Sequence, residues 1–270
     1  MISELTLASI QVYPVKSLGG FAVPQVRLTD RGLEHDRRWM LLDPDGRFVS
    51  QRECPIMACL HCSPQENGFR VTDLRSGNSI DVPWQLSVGE PIQATVWDDA
   101  VELMQGAEHM HTWFREVLQR PVRLAYMPES TIRLTDPRYA NVPVALNDGY
   151  PSLIISQASL DDLNAKLRTP VSMDRFRPNF VISGGVPFQE DHWKSVTIGE
   201  VRFSIVKPCA RCVIITTDQR TGSRAQEPMR TLANYRAVGN KVAFGMNATY
   251  VGQGSVQVGD IVFPNDDGER

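Results

Sequence analysis

The segment KPCARC, Lys207 to Cys212, sets two thiols around Ala210 and Arg211, between the apolar runs VRFSIV and VIITT. A guanidinium beside a thiol favours the thiolate, the form that attacks electrophiles and binds soft metals. Pro208 removes a backbone donor and biases Lys207 toward extended geometry, so a sheet ladder is interrupted where the thiols stand. The segment reads equally as a metal-binding thiolate site or as two buried cysteines with a surface arginine. A thioredoxin-type dithiol normally opens a helix, whereas VIITT reads as continuing strand. A second C-x-x-C pair, Cys59 and Cys62 in CLHC, invites a four-thiolate zinc site. The long separation of the two pairs argues against it, and Cys54, Cys59 and Cys62 read as small buried hydrophobes. Five cysteines, an odd number, with no export signal favour reduced thiols or metal ligands over a disulfide framework.

Other segments weigh on the choice. YPVKS ends a strand with Lys16 and Ser17 ahead of Gly19 and Gly20, a layout suited to an anionic oxygen group. HDRRW puts Arg37 at a strand start, and FRPN sets Arg177 and Asn179 around a proline. Singly, each arginine reads as a solvated face and Lys16 as a snorkelling side chain. Together Lys16, Arg37, Arg177 and Arg211 supply the fork and point-charge donors that a phosphate-bearing cofactor needs.

The elements that must carry these residues are mostly short strands. LTLASIQVYPV alternates apolar and polar side chains, FAVPQVRL follows, and PDG joins RWMLLD to RFVS as a hairpin. GFRVTD, the region Ala94 to Trp97, VELM, NFVIS, VTIG, VRFSIV, CVIITT, KVAF and SVQVGDIVF continue the series. Two helices are expected. One runs from Ala107 to Gln119, with Met110, Phe114, Val117 and Leu118 on one face; the other opens at Ser156, with aspartates in its first turn. Glycine corners recur at Val88-Gly89-Glu90, Ile198-Gly199-Glu200 and Val258-Gly259-Asp260, as in a small barrel. The tail after Pro264 reads as frayed.

Composition bounds the function. At 270 residues the chain is long enough for one large or two packed domains, and 42% hydrophobic with 22% charged residues is ordinary for a soluble globular protein. A net charge of −3 gives no general pull toward nucleic acid or anionic lipid, so any anion site is local. No run is long enough to span a membrane, and no cationic segment precedes an apolar one at the N-terminus, so the expected compartment is the cytoplasm.

The order YPVKS, DRRW, DGYP, FRPN, KPCARC followed by TT, FGMN and VGD resembles the MOSC proteins with an N-terminal β-barrel domain. That family includes the mitochondrial amidoxime reducing component and its bacterial relatives, which bind molybdenum cofactor. The resemblance implies a mainly β fold with α+β elements, an N-terminal β-barrel-like domain over residues 1–125 packed on a C-terminal MOSC barrel over 126–270. It implies Cys212 as the protein ligand to molybdenum, with Cys209 beside it. It assigns cofactor contacts to Lys16, Ser17, Arg37, Gly149, Tyr150, Arg177, Asn179, Ala210, Arg211 and Asn247, and leaves Asp148 as the candidate for proton transfer. The implied reaction is reduction of N-hydroxylated compounds (amidoximes, hydroxylamines, hydroxylated bases) to amines or amidines plus water. The cysteine run of a plant-type ferredoxin domain is not in the sequence, so electrons are expected from a separate donor protein, ferredoxin-type or similar, with an altered electron route as the other case, and no nucleic-acid or membrane partner is expected. A cofactor carrier or sulfur-transfer module is the alternative, followed by a zinc-binding interaction module.

Overall fold

A computed structural model describes residues 4–265. Its largest sheet mixes the two ends of the chain. Thr6–Val12 pairs antiparallel with Phe180–Ser183, which runs parallel to Ser152–Ser156; beyond these come Lys241–Tyr250, Val201–Ala210, Ser195–Ile198 and Val262–Asn265. The alternation noticed in LTLASIQV is what builds this, since Leu7, Ile10 and Val12 turn inward onto Phe180, Phe203 and Val262. Gly254–Gln257 likewise reaches back to Gln25–Thr29.

The intervening chain forms two smaller sheets. Trp39–Leu42, Arg123–Tyr126, Asp99–Gln105 and Pro91–Val96 make one, and Leu60–Gln65, Gly68–Asp73 and Ser79–Pro83 the other. The helix Glu108–Leu118 closes them with Met110, Phe114 and Leu118, packed in a cluster that also holds Trp39, Phe69, Cys54 and Cys62. The chain is mainly β, with curled sheets and three α-helices among the described residues.

Several local expectations are revised. CVIITT does not continue as strand: Val213–Thr216 is a 3-10 turn that starts directly after Cys212. Two register shifts, between Ile205 and Lys207 and between Pro208 and Ala210, swing the chain off its ladder. The β-branched run is then buried by Ile214 and Ile215 as a turn, so tertiary packing overrides its strand propensity. Pro24 splits FAVPQVRL into Phe21–Val23 and Gln25–Thr29. The second arm of the PDG hairpin is reduced to a bridge from Phe48 to Leu42. The helix Gln157–Ala165 is capped by Ser156 as expected, but Asp161 and Asp162 fall in its second turn. Of the three glycine corners, Gly199 and Gly259 have φ of 59° and 94°, where a side chain is strained; Gly89 does not share that conformation. Of the tail read as frayed, Asn265 closes the last strand and residues 266–270 lie outside the described ones.

Candidate functional site

Every residue assigned from the sequence lines one cavity. Lys16, Ser17, Arg37, Asp148, Gly149, Tyr150, Arg177, Asn179, Ala210, Arg211, Cys212 and Asn247 surround a volume of about 140 Å³, together with Arg52, Asn147 and Cys209. The interleaved sheet is the cause, since it brings the end of the first strand against the turns around residues 37, 148, 177 and 212.

Lys16 enters by its backbone, whose amide donates to Trp39 O at 2.7 Å. Its ammonium is buried and donates to Leu146 O at 2.8 Å and Asp148 Oδ1 at 2.6 Å. Burial brings its pKa down to about 8, with Asp148 opposing and Arg133 and Arg52 assisting that fall. Asp148 is gripped from its other side by Arg52, Nη2 to Oδ2 at 2.7 Å. Desolvation works against its charge, yet the Lys16 and Arg52 cations hold the carboxyl far below the usual range. A carboxylate paired with two cations in this way stays ionised at neutral pH.

Arg37 and Arg177 form a second cationic pair. Each guanidinium carbon sits 4.3 Å from the centroid of the Tyr13 ring. Arg37 donates to Asp36 Oδ2 at 2.6 Å, Asn179 Oδ1 at 3.1 Å and Arg177 O at 3.3 Å; Arg177 donates to Leu18 O at 2.5 Å. Burial first, and the Arg37 charge second, lower Arg177 to about 10. Asn179 is buried with both ends engaged, receiving Leu153 N at 3.3 Å and donating to Gln11 O at 3.2 Å. It therefore fixes Arg37 and leaves little for a ligand. Ser17, Arg37 and Arg177 all have left-handed backbone, with φ of 69°, 48° and 55°. Three strained non-glycine residues at one cavity are held there by their surroundings, as at ligand clamps.

The thiols stand opposite. Arg211 donates to Cys209 Sγ at 3.0 Å and to Phe176 O at 2.6 Å. Cys212 is half-buried at the start of the 3-10 turn, and the Arg52 guanidinium interacts with its thiol. Cys54, Cys59 and Cys62 are buried instead, and burial pushes Cys62 up to about 12. Among the described residues no three His, Cys, Asp or Glu side chains gather as metal ligands, so CLHC and CARC do not form a four-thiolate site there. Asn247 donates to Lys207 O at 3.3 Å and steadies the bulge that precedes the thiols.

Five cationic side chains thus line the cavity against one carboxylate, in a chain whose net charge is −3. Arg211 Nε, Asn147 Oδ1 and the Tyr150 hydroxyl are buried without a partner. A Cβ built on Gly149 would meet nothing within 4 Å. Surplus cations, orphaned polar atoms, open room at Gly149 and the Cys212 thiol at the mouth fit an anionic group that brings the rest of its metal's ligands with it.

Arg52, Asp36 and Asn147 were not foreseen. Asp36 carried a faint signal as the acid beside the arginine pair, and it binds Tyr13 N at 2.9 Å, Arg37 and Asn147 Nδ2 at 3.2 Å. Arg52, in SQREC, carried none.

A mainly β molecule whose chain ends interlock around a cationic, thiol-bearing cavity has the build of a protein that holds an anionic, metal-bearing group. Family models make that class particular. The MOSC domain model matches residues 141–263 and the MOSC N-terminal beta barrel domain model residues 4–121. The chain belongs to the MOSC family, and membership implies the molybdenum cofactor, which the residues of the cavity fit. It is 30% identical to mitochondrial amidoxime reducing component 2 of Rattus norvegicus over 96% of this chain and 82% of that protein. It is 29% identical to mitochondrial amidoxime-reducing component 1 of Homo sapiens over 96% and 82% of the two chains. Molybdenum cofactor sulfurase of Oryza sativa is 32% identical over 98% of this chain, which spans 36% of the sulfurase's length.

Proposed function

We propose that this protein holds molybdenum cofactor with the Cys212 thiolate as its protein ligand, and reduces N-hydroxylated compounds with electrons from a separate donor protein. The observation that carries the reading is the meeting of five buried or half-buried cations, from segments far apart in sequence, on the cavity into which Cys212 opens. The amidoxime reducing components, matched over most of their length, favour the reductase activity.

When bound, the cofactor supplies two-electron redox chemistry; two electrons and two protons convert an N-hydroxyl compound to its amine or amidine and water. The chain's own residues bind and orient. Lys16, Arg37, Arg177 and Arg211 neutralise the anionic end, and Asp36 and Asn179 keep the Arg37 fork in place. Arg52 spans from Asp148 to the Cys212 thiol and ties the ligand to the loop at 148. Lys16, with its pKa near 8, keeps a proton on Nζ at neutral pH beside the mouth.

The sulfurase relative supports a second reading, a carrier or sulfur-transfer module that binds the cofactor without turnover. Single-turnover reduction separates the two: the protein, loaded with molybdenum and chemically reduced, is mixed with an amidoxime. Formation of the amidine, absent with Cys212→Ser, supports the reductase; intact amidoxime with tightly bound molybdenum supports the carrier.

A further inference from the structure

Tyr13 stands behind the wall of the cationic cavity, yet both arginines of the cavity's second pair are built on it. The residue is buried, and the Arg37 and Arg177 guanidiniums share its ring. Its backbone and hydroxyl reach the same two residues. Tyr13 O accepts Arg37 N at 2.7 Å, and the hydroxyl donates at 3.2 Å to Pro178 O, on the residue after Arg177. Tyr13 thus braces the two segments that hold Arg37 and Arg177 in left-handed conformation. Asp36 completes the frame, receiving Tyr13 N on Oδ1 at 2.9 Å and Arg37 Nη1 on Oδ2 at 2.6 Å. Gly20 walls the ring in on another side, since a Cβ built there would come 2.5 Å from Tyr13 Cδ1.

Two guanidiniums gathered out of water repel each other, and the Arg37 charge is one cause of the lowered pKa of Arg177. Among the described residues, Asp36 is the one carboxylate hydrogen-bonded to the pair. A second carboxylate would hold the cations together but would also cancel the positive field that an anion needs. An aromatic face attracts both cations and leaves their charge in place. Burial pushes the Tyr13 hydroxyl up to about 12, so the side chain stays neutral at physiological pH.

We propose that Tyr13 is a positioning residue for the cofactor's anionic end: its neutral ring holds the Arg37 and Arg177 guanidiniums at a fixed spacing, so that both forks meet one phosphate group together. The inference rests on the reading of the cavity as a cofactor site and is independent of reduction.

The test is a double-mutant cycle on the cofactor-free 270-residue chain, with pyrophosphate as the probe and isothermal titration as the reading. In wild type, Arg177→Gln should weaken binding about tenfold. In a Tyr13→Leu background the same substitution should cost less than about threefold, because an arginine released from the ring no longer acts with its partner. Tyr13→Phe keeps the ring and should bind within about threefold of wild type. A residue that served folding alone would lower the melting temperature and leave the cost of Arg177→Gln equal in both backgrounds; that equality overturns the assignment. A second reading uses wild type with isotope-labelled tyrosine rings. The Tyr13 NMR signals, assigned by their loss in Tyr13→Phe, should shift as pyrophosphate binds. Signals that stay in place while pyrophosphate binds overturn the assignment even where Tyr13→Leu fails to fold. Absence of binding to wild type overturns the cofactor reading and this inference with it, and is seen before any substitution is made.

Discussion

Lys16 concentrates the consequences of the cavity's charge in one side chain. Its pKa falls from 10.5 in an unfolded chain to about 8 in the fold. Below about 8 both states carry the proton, and the native state bears the full cost of burying an ammonium. Between about 8 and 10.5 the native state has released the proton and the unfolded chain has not, so stability of the cofactor-free protein rises with pH. The shift corresponds to about 3 kcal/mol at most. Thermal unfolding from pH 7.5 to 10 should therefore improve more steeply in wild type than in Lys16→Met; parallel curves would contradict the burial of the charge. The same titration predicts that affinity for pyrophosphate, an anion probe, falls as pH passes about 8 in wild type and not in Lys16→Met. Isothermal titration reads this directly. Ser17 tests the strain: Ser17→Gly should raise the melting temperature of the cofactor-free protein, by about 1 kcal/mol in stability, because its φ of 69° suits glycine. These residues were legible because each sits in a short polar motif at the end of an apolar strand. Arg52 was not, since only tertiary folding brings SQREC to Cys212. Nor was the clamping of Asp148 by two cations, for the same reason.

At the scale of elements, the helix Gln157–Ala165 and the strand before it depend on one buried carboxylate. Glu190 accepts Ser156 N at 3.1 Å, Ser156 Oγ at 2.9 Å and Ser159 Oγ at 2.8 Å, and is fully buried. Ser156→Ala removes the helix cap and one of these donors together. A loss of about 2 kcal/mol is expected in urea unfolding, and a loss under 0.5 kcal/mol would contradict the network. Ser152–Ser156 borders the cavity through Ser152 and Leu153, so its placement matters to the site. The cap was legible as a serine before an amphipathic run. The turn after Cys212 was not: five β-branched residues read as strand, and the two register shifts that divert the chain arise from pairing with Lys241–Tyr250. That turn is what aims Cys212 into the cavity.

At the scale of the molecule, the two halves of the sequence are threaded through each other. Thr6–Val12 and Phe21–Val23 lie in the sheet built mostly from residues 152–265, and Gly254–Gln257 pairs with Gln25–Thr29. Residues 1–125 expressed alone should give a collapsed chain without the dispersed amide proton spectrum of a folded domain; a dispersed spectrum would contradict the interlocking. The motif order made the family legible, yet strand composition said nothing about which strands pair across such distances, since β propensity carries no partner. Whole-chain pairing is what turns four separate basic motifs into one cavity. The most direct test is metal analysis of wild type, Cys212→Ser and Cys59→Ser purified from a host that makes molybdenum cofactor. About one molybdenum with accompanying phosphorus per chain is expected in wild type and Cys59→Ser, and little in Cys212→Ser. Zinc in place of molybdenum, or equal loss from both substitutions, would contradict it.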